Sequence, residues 1–203
     1  PQYRLDGDAS TAVSALAWDS RQVRRGSLFV AYSGVTLDGH TFIPAAIAAG
    51  AAGIVGERDA LEVMPRRAMS DGRIPYVRVP DGREALAWLS AAWHGFPARR
   101  LTMIGVTGTD GKTTTVNLVY HILSAAGRQM GMISTVNARI GDRSVDTGLH
   151  TTTPDAYAVQ GLLADIVAAG GDTCVLETTS HGLAQHRVTA CEFDVAVVTN
   201  VTH

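Results

Sequence analysis

Short, continuous runs of apolar residues alternate along the chain with segments whose apolar residues recur at helical spacing. Runs that are apolar at nearly every position are typical of parallel strands buried on both faces. Helical segments between such strands predict crossover connections, and therefore an α/β fold with a mostly parallel sheet. The predicted strands span 27–32, 53–56, 76–79, 101–106, 130–133, 173–177 and 194–199.

The helical segments show recognisable start and stop signals. Asp81 is predicted to cap a helix that runs to Trp93, with Leu86, Leu89 and Trp93 facing a core. The other predicted helices span 41–49, 112–126 and 154–170, with Pro154 just inside the start of the last.

A stretch rich in Gly, Pro and Arg at 94–100 reads as a linker between two domains. We therefore predict a small α/β domain over 1–97, followed over 98–203 by a phosphate-loop domain whose mostly parallel sheet is incomplete.

Composition narrows the function classes. The 203 residues are 46% hydrophobic and 18% charged, with a formal net charge of −2, which argues against a nucleic-acid coat or a membrane-surface binder. Cys174 and Cys191 lack the spacing of metal ligands and are interpreted as free thiols. Of the 17 basic residues, 16 are Arg and one, Lys112, is Lys. A lysine that persists among arginines marks a place where a compact ammonium is needed, unless it persists by chance.

The residues around Lys112 favour the functional explanation. A predicted strand, the run Gly105-Val-Thr-Gly-Thr-Asp-Gly-Lys-Thr-Thr114 and a predicted helix follow one another, as in nucleotide-binding phosphate loops. Backbone N–H groups at the helix start would cradle phosphates, Lys112 would reach the β- and γ-phosphates, and Thr113 would offer its hydroxyl to Mg²⁺. The predicted nucleoside triphosphate site comprises Gly108, Thr109, Gly111, Lys112, Thr113 and Thr114.

Two details of this loop need structural explanation. Val106 stands where the strict pattern has Gly, so we expect Gly105 and Gly108 to supply the turn. Asp110 would repel phosphate, so its side chain either faces solvent or helps to hold the turn.

Glu177 ends a predicted buried strand, at the edge where parallel sheets bind ligands, and is placed like the Mg²⁺-binding acid of a strand beside a phosphate loop. Hydroxyl, amide and basic side chains follow it, among them Thr179, Gln185 and Arg187, and suit a polyanionic or multiply hydroxylated substrate. The run 151–153 adds three threonine hydroxyls at a helix start, where simple capping is the alternative explanation.

These blocks together resemble the Mur ligase family. The loop from Gly105 to Thr115 is similar to the family's ATP loop, in which Val at position 106 is usual and Asn replaces Asp110. The shared blocks of the amino-terminal half are Asp19-Ser-Arg21, Gly26-Ser-Leu-Phe-Val-Ala31 and Asp38-Gly-His40. The blocks that favour the third peptide-adding ligase are Thr151-Thr-Thr-Pro154, Glu177-Thr-Thr-Ser-His181, Gln185-His-Arg-Val188 and Val198-Thr-Asn-Val-Thr-His203.

The resemblance implies roles for individual residues. Lys112 and Glu177 would be catalytic, with Thr113 and Glu177 holding Mg²⁺ and ATP as the nucleotide. Ser20 would hold the uridine end of a UDP-N-acetylmuramoyl-dipeptide. The muramoyl-peptide portion would contact Thr152, Thr153, Thr179, Gln185 and Arg187, with Thr179 where the family usually has Ser.

The implied reaction transfers a phosphoryl group from ATP to the D-glutamate γ-carboxylate, and the amine of a diamino acid then attacks the acyl phosphate. The family's remaining metal ligands, its carbamylated lysine and its amino-acid-binding domain would lie beyond residue 203, so we expect a fragment that is inactive alone.

The resemblance also implies that the parent protein is bacterial, cytoplasmic and monomeric, without nucleic-acid or membrane partners. Meso-diaminopimelate and lysine both remain open as the added amino acid. The alternatives are another ligase of the family, such as the fourth peptide-adding enzyme, and a non-catalytic nucleotide-binding module.

Overall fold

The computed structural model describes residues 3–34, 37–70, 74–146 and 153–202, and it divides the chain into two compact units, 1–86 and 87–203. The division falls within a helix, α4, which spans Gly82–Trp93. The predicted domain boundary at 97/98 stays a prediction. No helix in the described ranges is both long and apolar enough to cross a bilayer.

The first unit is built on a five-stranded sheet in the order β1-β5-β4-β3-β2. Strands β2, β3, β4 and β5 run parallel to one another, whereas β1 pairs with β5 in the antiparallel direction. The strands are β1 Arg4–Asp6, β2 Ala15–Ala17, β3 Ser27–Val30, β4 Gly53–Gly56 and β5 Tyr76–Arg78. The helices are α1 Ile43–Ala48, α2 Ala60–Val63 and α3 Arg66–Ser70.

The core of this unit lies between the sheet and these short helices. Phe29, Ile43, Ile54 and Tyr76 are essentially inaccessible and belong to one apolar cluster. The tyrosine keeps its hydroxyl satisfied by donating to the carbonyl of Arg58 at 2.8 Å. The continuous apolar runs of β3 and β4 therefore do what their pattern predicts, because both faces of these strands are covered.

The second unit contains a six-stranded sheet in the order β11-β6-β10-β7-β8-β9. Four strands, β11, β6, β10 and β7, are mutually parallel, and β7-β8-β9 continue as an antiparallel meander. The strands are β6 Thr102–Thr107, β7 Met130–Ile133, β8 Asn137–Ile140, β9 Arg143–Asp146, β10 Thr173–Glu177 and β11 Val195–Val198. The helices are α5 Lys112–Ala125, α6 Ala156–Ala168 and α7 Ser180–Ala184. The predicted α/β class with a mostly parallel sheet is confirmed.

Helices α5 and α6 pack with two separate apolar clusters of this unit. Met103 and Leu163 belong to one cluster, and Val106, Val116 and Val175 belong to the other. Cys174 and Cys191 lie in the first cluster as free thiols, and burial raises the pKa of both, that of Cys191 to about 12. These cysteines are therefore core residues rather than reactive groups.

Three predictions about local structure need correction. The last long helix starts two residues later than predicted, because Asp155 is its N-cap and accepts a hydrogen bond from the Ala158 N–H at 2.8 Å, so Pro154 precedes the cap. Trp93 is 41% exposed rather than buried, although Leu86 is in the core as expected. The meander β8-β9 was not predicted at all.

Candidate active site

The loop between β6 and α5 has the backbone form of a phosphate cradle. Gly108 has φ of +141° and Gly111 has φ of +78°, both in the range that favours glycine. Gly111 is the N-cap of α5 and has no side chain with which to cap the helix, so the first N–H groups of α5 stay available to an anion. Gly105, in contrast, lies inside β6, where a Cβ would stand 3.0 Å from the ring of Phe193, so its predicted role in the turn is wrong.

The Lys112 side chain folds back onto the backbone of its own loop. Its Nζ donates to the carbonyl oxygens of Gly108 and Thr109, each at 2.8 Å. A compact ammonium can make both bonds from one point. Thr109 and Thr114 are exposed at the loop and at the first turn of α5.

The segment Thr199–Thr202, which follows β11, holds the outer side of the loop, and we call it the clasp. The Thr109 N–H donates to the Asn200 carbonyl at 3.0 Å, and the Thr202 N–H donates to the Thr109 hydroxyl at 3.1 Å. The approach is so close that a Cβ on Gly108 would lie 2.1 Å from the Thr199 Oγ1. Only glycine fits at that position, both for its φ and for this contact.

Asp110 takes part in the clasp through its main chain. Its N–H donates to the Asn200 Oδ1 at 3.0 Å, and its carbonyl accepts from the Asn200 Nδ2 at 3.1 Å and from the Thr199 hydroxyl at 2.7 Å. The residue itself is exposed. Both interpretations offered for Asp110 therefore hold, because its backbone secures the turn while its side chain is accessible to solvent.

Glu177 stands at the carboxyl end of β10, paired in register with Val106 of β6. The parallel arrangement of these neighbouring strands brings its carboxylate to the start of α5. The Thr113 hydroxyl lies 3.1 Å from Oε1 and 3.0 Å from Oε2, and the Thr135 N–H donates to Oε2 at 3.1 Å. Glu177 is 2% exposed, and these two donors satisfy its buried carboxylate.

This donor set fits Mg²⁺. Carboxylate and hydroxyl oxygens are the ligands that this hard cation prefers, and it is usually held by one or two protein groups together with phosphate oxygens. Within the described ranges, no three His, Cys, Asp or Glu side chains come together as a metal cluster. Thr113 and Glu177 would therefore hold the ion jointly with the nucleotide.

A second polar cluster lies directly after Glu177. The Thr153 hydroxyl lies 3.3 Å from that of Thr179 and accepts from the Thr179 N–H at 3.2 Å. Arg187 donates to the Thr153 carbonyl at 2.5 Å and to the Gln185 Oε1 through Nε at 3.1 Å and Nη2 at 2.7 Å. Four residues predicted to bind the substrate, scattered over 35 positions of sequence, thus form one connected network. Thr152 lies outside the described residues.

Thr179 and His186 fix the shape of this network. Thr179 is the N-cap of α7, and its hydroxyl accepts from the Gly182 N–H at 2.9 Å. His186, between Gln185 and Arg187, has φ of +56°, a strained value for a residue with a Cβ. This conformation lies between Gln185 and Arg187, whose side chains hydrogen-bond to each other.

Ser20 lies in the first unit and borders a cavity of about 530 Å³. It begins a single turn of 3-10 helix that Asp19 caps by accepting from the Arg21 N–H at 3.0 Å. The cavity combines this polar turn with aromatic walls, which suits a planar polar ring. Its aromatic lining residues are Trp18, Phe29, Tyr32 and Phe42.

The sequence assigned no role to three contributors to the site, namely Ser134, Thr135 and Asn200, although Asn200 lies in the family-like block 198–203. Thr135 contributes its main-chain N–H, and the Asn200 side chain bonds to the main chain of Asp110. Residue type gives no signal for contacts of this kind. For Ser134, the succession Ser-Thr-Val-Asn between two apolar runs was an available turn signal.

Both halves of the chain match known protein-family models. Residues 12–94 match the family model described as "Mur ligase family, catalytic domain", and residues 106–203 match the "Mur ligase middle domain". The chain is 45% identical over 194 residues to the UDP-N-acetylmuramyl-tripeptide synthetase of Roseiflexus sp. (strain RS-1). That alignment covers 94% of this chain and 36% of the relative, so the chain spans little more than a third of its length.

Two solved structures share the fold. A UDP-N-acetylmuramoyl-L-alanyl-D-glutamate–2,6-diaminopimelate ligase matches with a TM-score of 0.75 at 27% identity, covering 94% of this chain and 37% of that one. A MurF ligase from Thermotoga maritima in complex with ADP matches with a TM-score of 0.54 at 28% identity, covering 94% and 38%. Two family models that together span most of the sequence, and a fold that superposes on such ligases, show that this chain belongs to the Mur ligase family.

Proposed function

We propose that this chain is the UDP-sugar-binding and ATP-binding part of an ATP-dependent amide ligase that adds a diamino acid to UDP-N-acetylmuramoyl-L-alanyl-D-glutamate. The observation that carries the proposal is the adjacency of two sites on one strand end. Glu177 contacts Thr113 of the phosphate loop, and Thr179, two residues on, belongs to the polar network with Arg187. A nucleotide phosphate and a substrate carboxylate bound at these two places would be neighbours.

The chemistry follows from charge and position. Lys112 and the N–H groups at the start of α5 would receive the transferring phosphoryl oxygens, and the clasp would keep that cradle rigid. Arg187, the Thr153 and Thr179 hydroxyls and Gln185 would orient the muramoyl-peptide end, so that its carboxylate is aligned for attack. Mg²⁺ held by Thr113 and Glu177 would supply neutralisation of the phosphate charge.

The likeness to the third peptide-adding ligase supports this assignment over the fourth. The 2,6-diaminopimelate ligase structure superposes with a TM-score of 0.75, against 0.54 for the MurF ligase. The choice of 2,6-diaminopimelate as the added amino acid is the finer part of the proposal and rests on the name of that neighbour. The polar network and the cradle jointly suit a two-step reaction: phosphoryl transfer from ATP to the substrate carboxylate with release of ADP, then attack of the diaminopimelate amine on the acyl phosphate with release of phosphate.

Calorimetric titration of the 203-residue chain with Mg·ADP, and separately with UDP-N-acetylmuramoyl-L-alanyl-D-glutamate, tests the proposal. We expect both to bind. Thr113→Val should remove the Mg²⁺-dependent part of ADP affinity, because the valine cannot donate to Glu177 or contact the ion. Thr115→Val, two residues along the same helix, is the matched control and should leave affinity unchanged.

If the wild-type chain bound neither Mg·ADP nor the UDP-dipeptide, the proposal would be contradicted. Binding of Mg·ADP without the UDP-dipeptide would favour a nucleotide-binding module of another kind. Turnover belongs to a protein of the relatives' length, and there ADP release should require both the UDP-dipeptide and 2,6-diaminopimelate, with lysine as the competing amino acid.

A further inference from the structure

The turn between β7 and β8, residues Ser134–Asn137, touches the proposed metal ligand and is held together by a serine hydroxyl. Ser134 is 1% exposed. Its Oγ donates to the Asn137 carbonyl at 3.0 Å and accepts from the N–H groups of Val136 and Asn137, each at 3.3 Å. The Ser134 N–H also donates to the Asn137 carbonyl, at 2.9 Å. One buried hydroxyl thus organises the whole turn.

The geometry of this turn decides where the Thr135 N–H points. The residue lies between the two ends that Ser134 ties together, and its N–H donates to the Glu177 Oε2 at 3.1 Å. The contact joins positions 42 residues apart in the sequence. Because the donor is a main-chain group, its direction depends on the shape of the turn and not on the threonine side chain.

The two oxygens of Glu177 are therefore not equivalent. Oε2 receives both the Thr135 N–H and the Thr113 hydroxyl, whereas Oε1 faces the Thr113 hydroxyl at 3.1 Å. The threonine carries a single hydroxyl proton, so it donates to one oxygen at a time. Oε2 keeps a donor in either case, so Oε1 has more of its lone-pair capacity free for a cation.

We infer that Ser134 is a positioning residue for the metal ligand. Its hydroxyl shapes the β7–β8 turn so that the Thr135 N–H occupies the Glu177 Oε2, which fixes the carboxylate plane and presents Oε1 to Mg²⁺ beside Thr113. The inference rests on the proposed function, in which Glu177 and Thr113 hold the ion. Hydrogen bonds that orient a metal ligand commonly change metal affinity 10- to 100-fold when they are lost.

Ser134→Ala tests this role with a small change. The substitution removes the hydroxyl but keeps the Cβ, and Val136 is 66% exposed, so its freed N–H can turn to water without disturbing the core. Ser144→Ala is the matched control: the same exchange on neighbouring β9, where the hydroxyl accepts from the Asn137 side chain at 3.2 Å. It leaves the Ser134 bonds in place.

The main readout is the affinity of Mn²⁺ for the chain saturated with ADP, measured by electron paramagnetic resonance. We expect Ser134→Ala to weaken Mn²⁺ binding about 10-fold. ADP affinity in EDTA should stay unchanged, because the cradle and the clasp are intact, and Ser144→Ala should match the wild type in both measurements. Hydrogen exchange at the Thr135 amide should be faster in Ser134→Ala alone.

The wild-type chain provides a second reading in case Ser134→Ala fails to fold. Protection of the Thr135 amide should persist when Mn²⁺ and ADP are added, because Oε2 keeps this donor while Oε1 takes the ion. Loss of that protection, or an unchanged Mn²⁺ affinity in a folded Ser134→Ala chain, would overturn the inference. A wild-type chain that binds no Mn²⁺ with ADP would instead refute the proposed function itself.

Discussion

At the scale of single residues, Lys112 shows why one lysine persists in a chain with 16 arginines. Its ammonium meets two carbonyl oxygens of its own loop at 2.8 Å each, a convergent geometry at one nitrogen. Guanidinium spreads its donors over a planar fork and needs more room. Elsewhere in the same unit the fork is used, as where Arg187 grips the Gln185 Oε1 with two nitrogens.

Lys112→Arg should therefore abolish phosphoryl transfer in the proposed ligase and weaken Mg·ADP binding to this chain at least about 10-fold, although the charge is kept. The expected loss corresponds to hydrogen bonds of a charged group, worth about 1.5–3 kcal/mol. Calorimetry gives the affinity, and phosphate release gives the transfer step. Arg143→Lys, the reverse exchange at an exposed position of β9, is the control and should change neither. Near-normal activity in Lys112→Arg would remove Lys112 from the role assigned to it.

At the scale of elements, apolar patterning predicted β4, β6, β7 and β10, which are buried at most or all of their positions. It also predicted β11, although Val195, Ala196 and Val198 of that strand are exposed. β10, from Thr173 to Glu177, is buried at every position. The same criterion fails for β8 and β9, which pair in the antiparallel direction at one side of the sheet and contain no continuous apolar run. A local signal did exist there, since Gly141 and Asp142 form a two-residue hairpin connection. Strands β1 and β2, of three residues each, were also not predicted.

The candidate site divides in the same way. Thr113 and Glu177 were predictable as neighbours, because the carboxyl ends of adjacent parallel strands share an edge. The clasp was not predictable, since the contacts of Thr199 and Asn200 run to the backbone of Asp110 and depend on the strand order that places β11 beside β6.

Asn200→Ala tests the clasp as an element that rigidifies the cradle. The substitution removes two hydrogen bonds to the Asp110 main chain, at 3.0 and 3.1 Å, and leaves the loop sequence untouched. We expect ADP affinity in Asn200→Ala to fall about 5-fold, which corresponds to the loss of about 1 kcal/mol of hydrogen-bond stabilisation of the loop. Asn200→Asp keeps the acceptor for the Asp110 N–H but loses the donor to its carbonyl and adds a negative charge beside the cradle, so its ADP affinity should fall below that of Asn200→Ala. Equal ADP affinity in all three chains would show that the cradle holds its shape without the clasp.

At the scale of the whole molecule, the chain carries two units, each with its own sheet and apolar core. The proposed function assigns them different ligands, the uridine end of the substrate to the cavity beside Ser20 and the nucleotide to the loop at Lys112. Each ligand that binds the native state alone should stabilise it by about 2.7 kcal/mol at a concentration 100 times its dissociation constant.

Hydrogen exchange read by mass spectrometry should separate the two assignments. UDP should slow exchange around 18–34 and 37–42, and Mg·ADP should slow it around 105–113, 134–137 and 199–202. The UDP-dipeptide, but not UDP, should slow exchange around 177–187, because the proposed function assigns its peptide portion to Thr179, Gln185 and Arg187. Ser20→Ala should weaken the response to UDP while the response to Mg·ADP persists, and Thr113→Val should do the opposite. A UDP footprint on the phosphate loop instead of the Ser20 cavity would contradict the division of labour between the units.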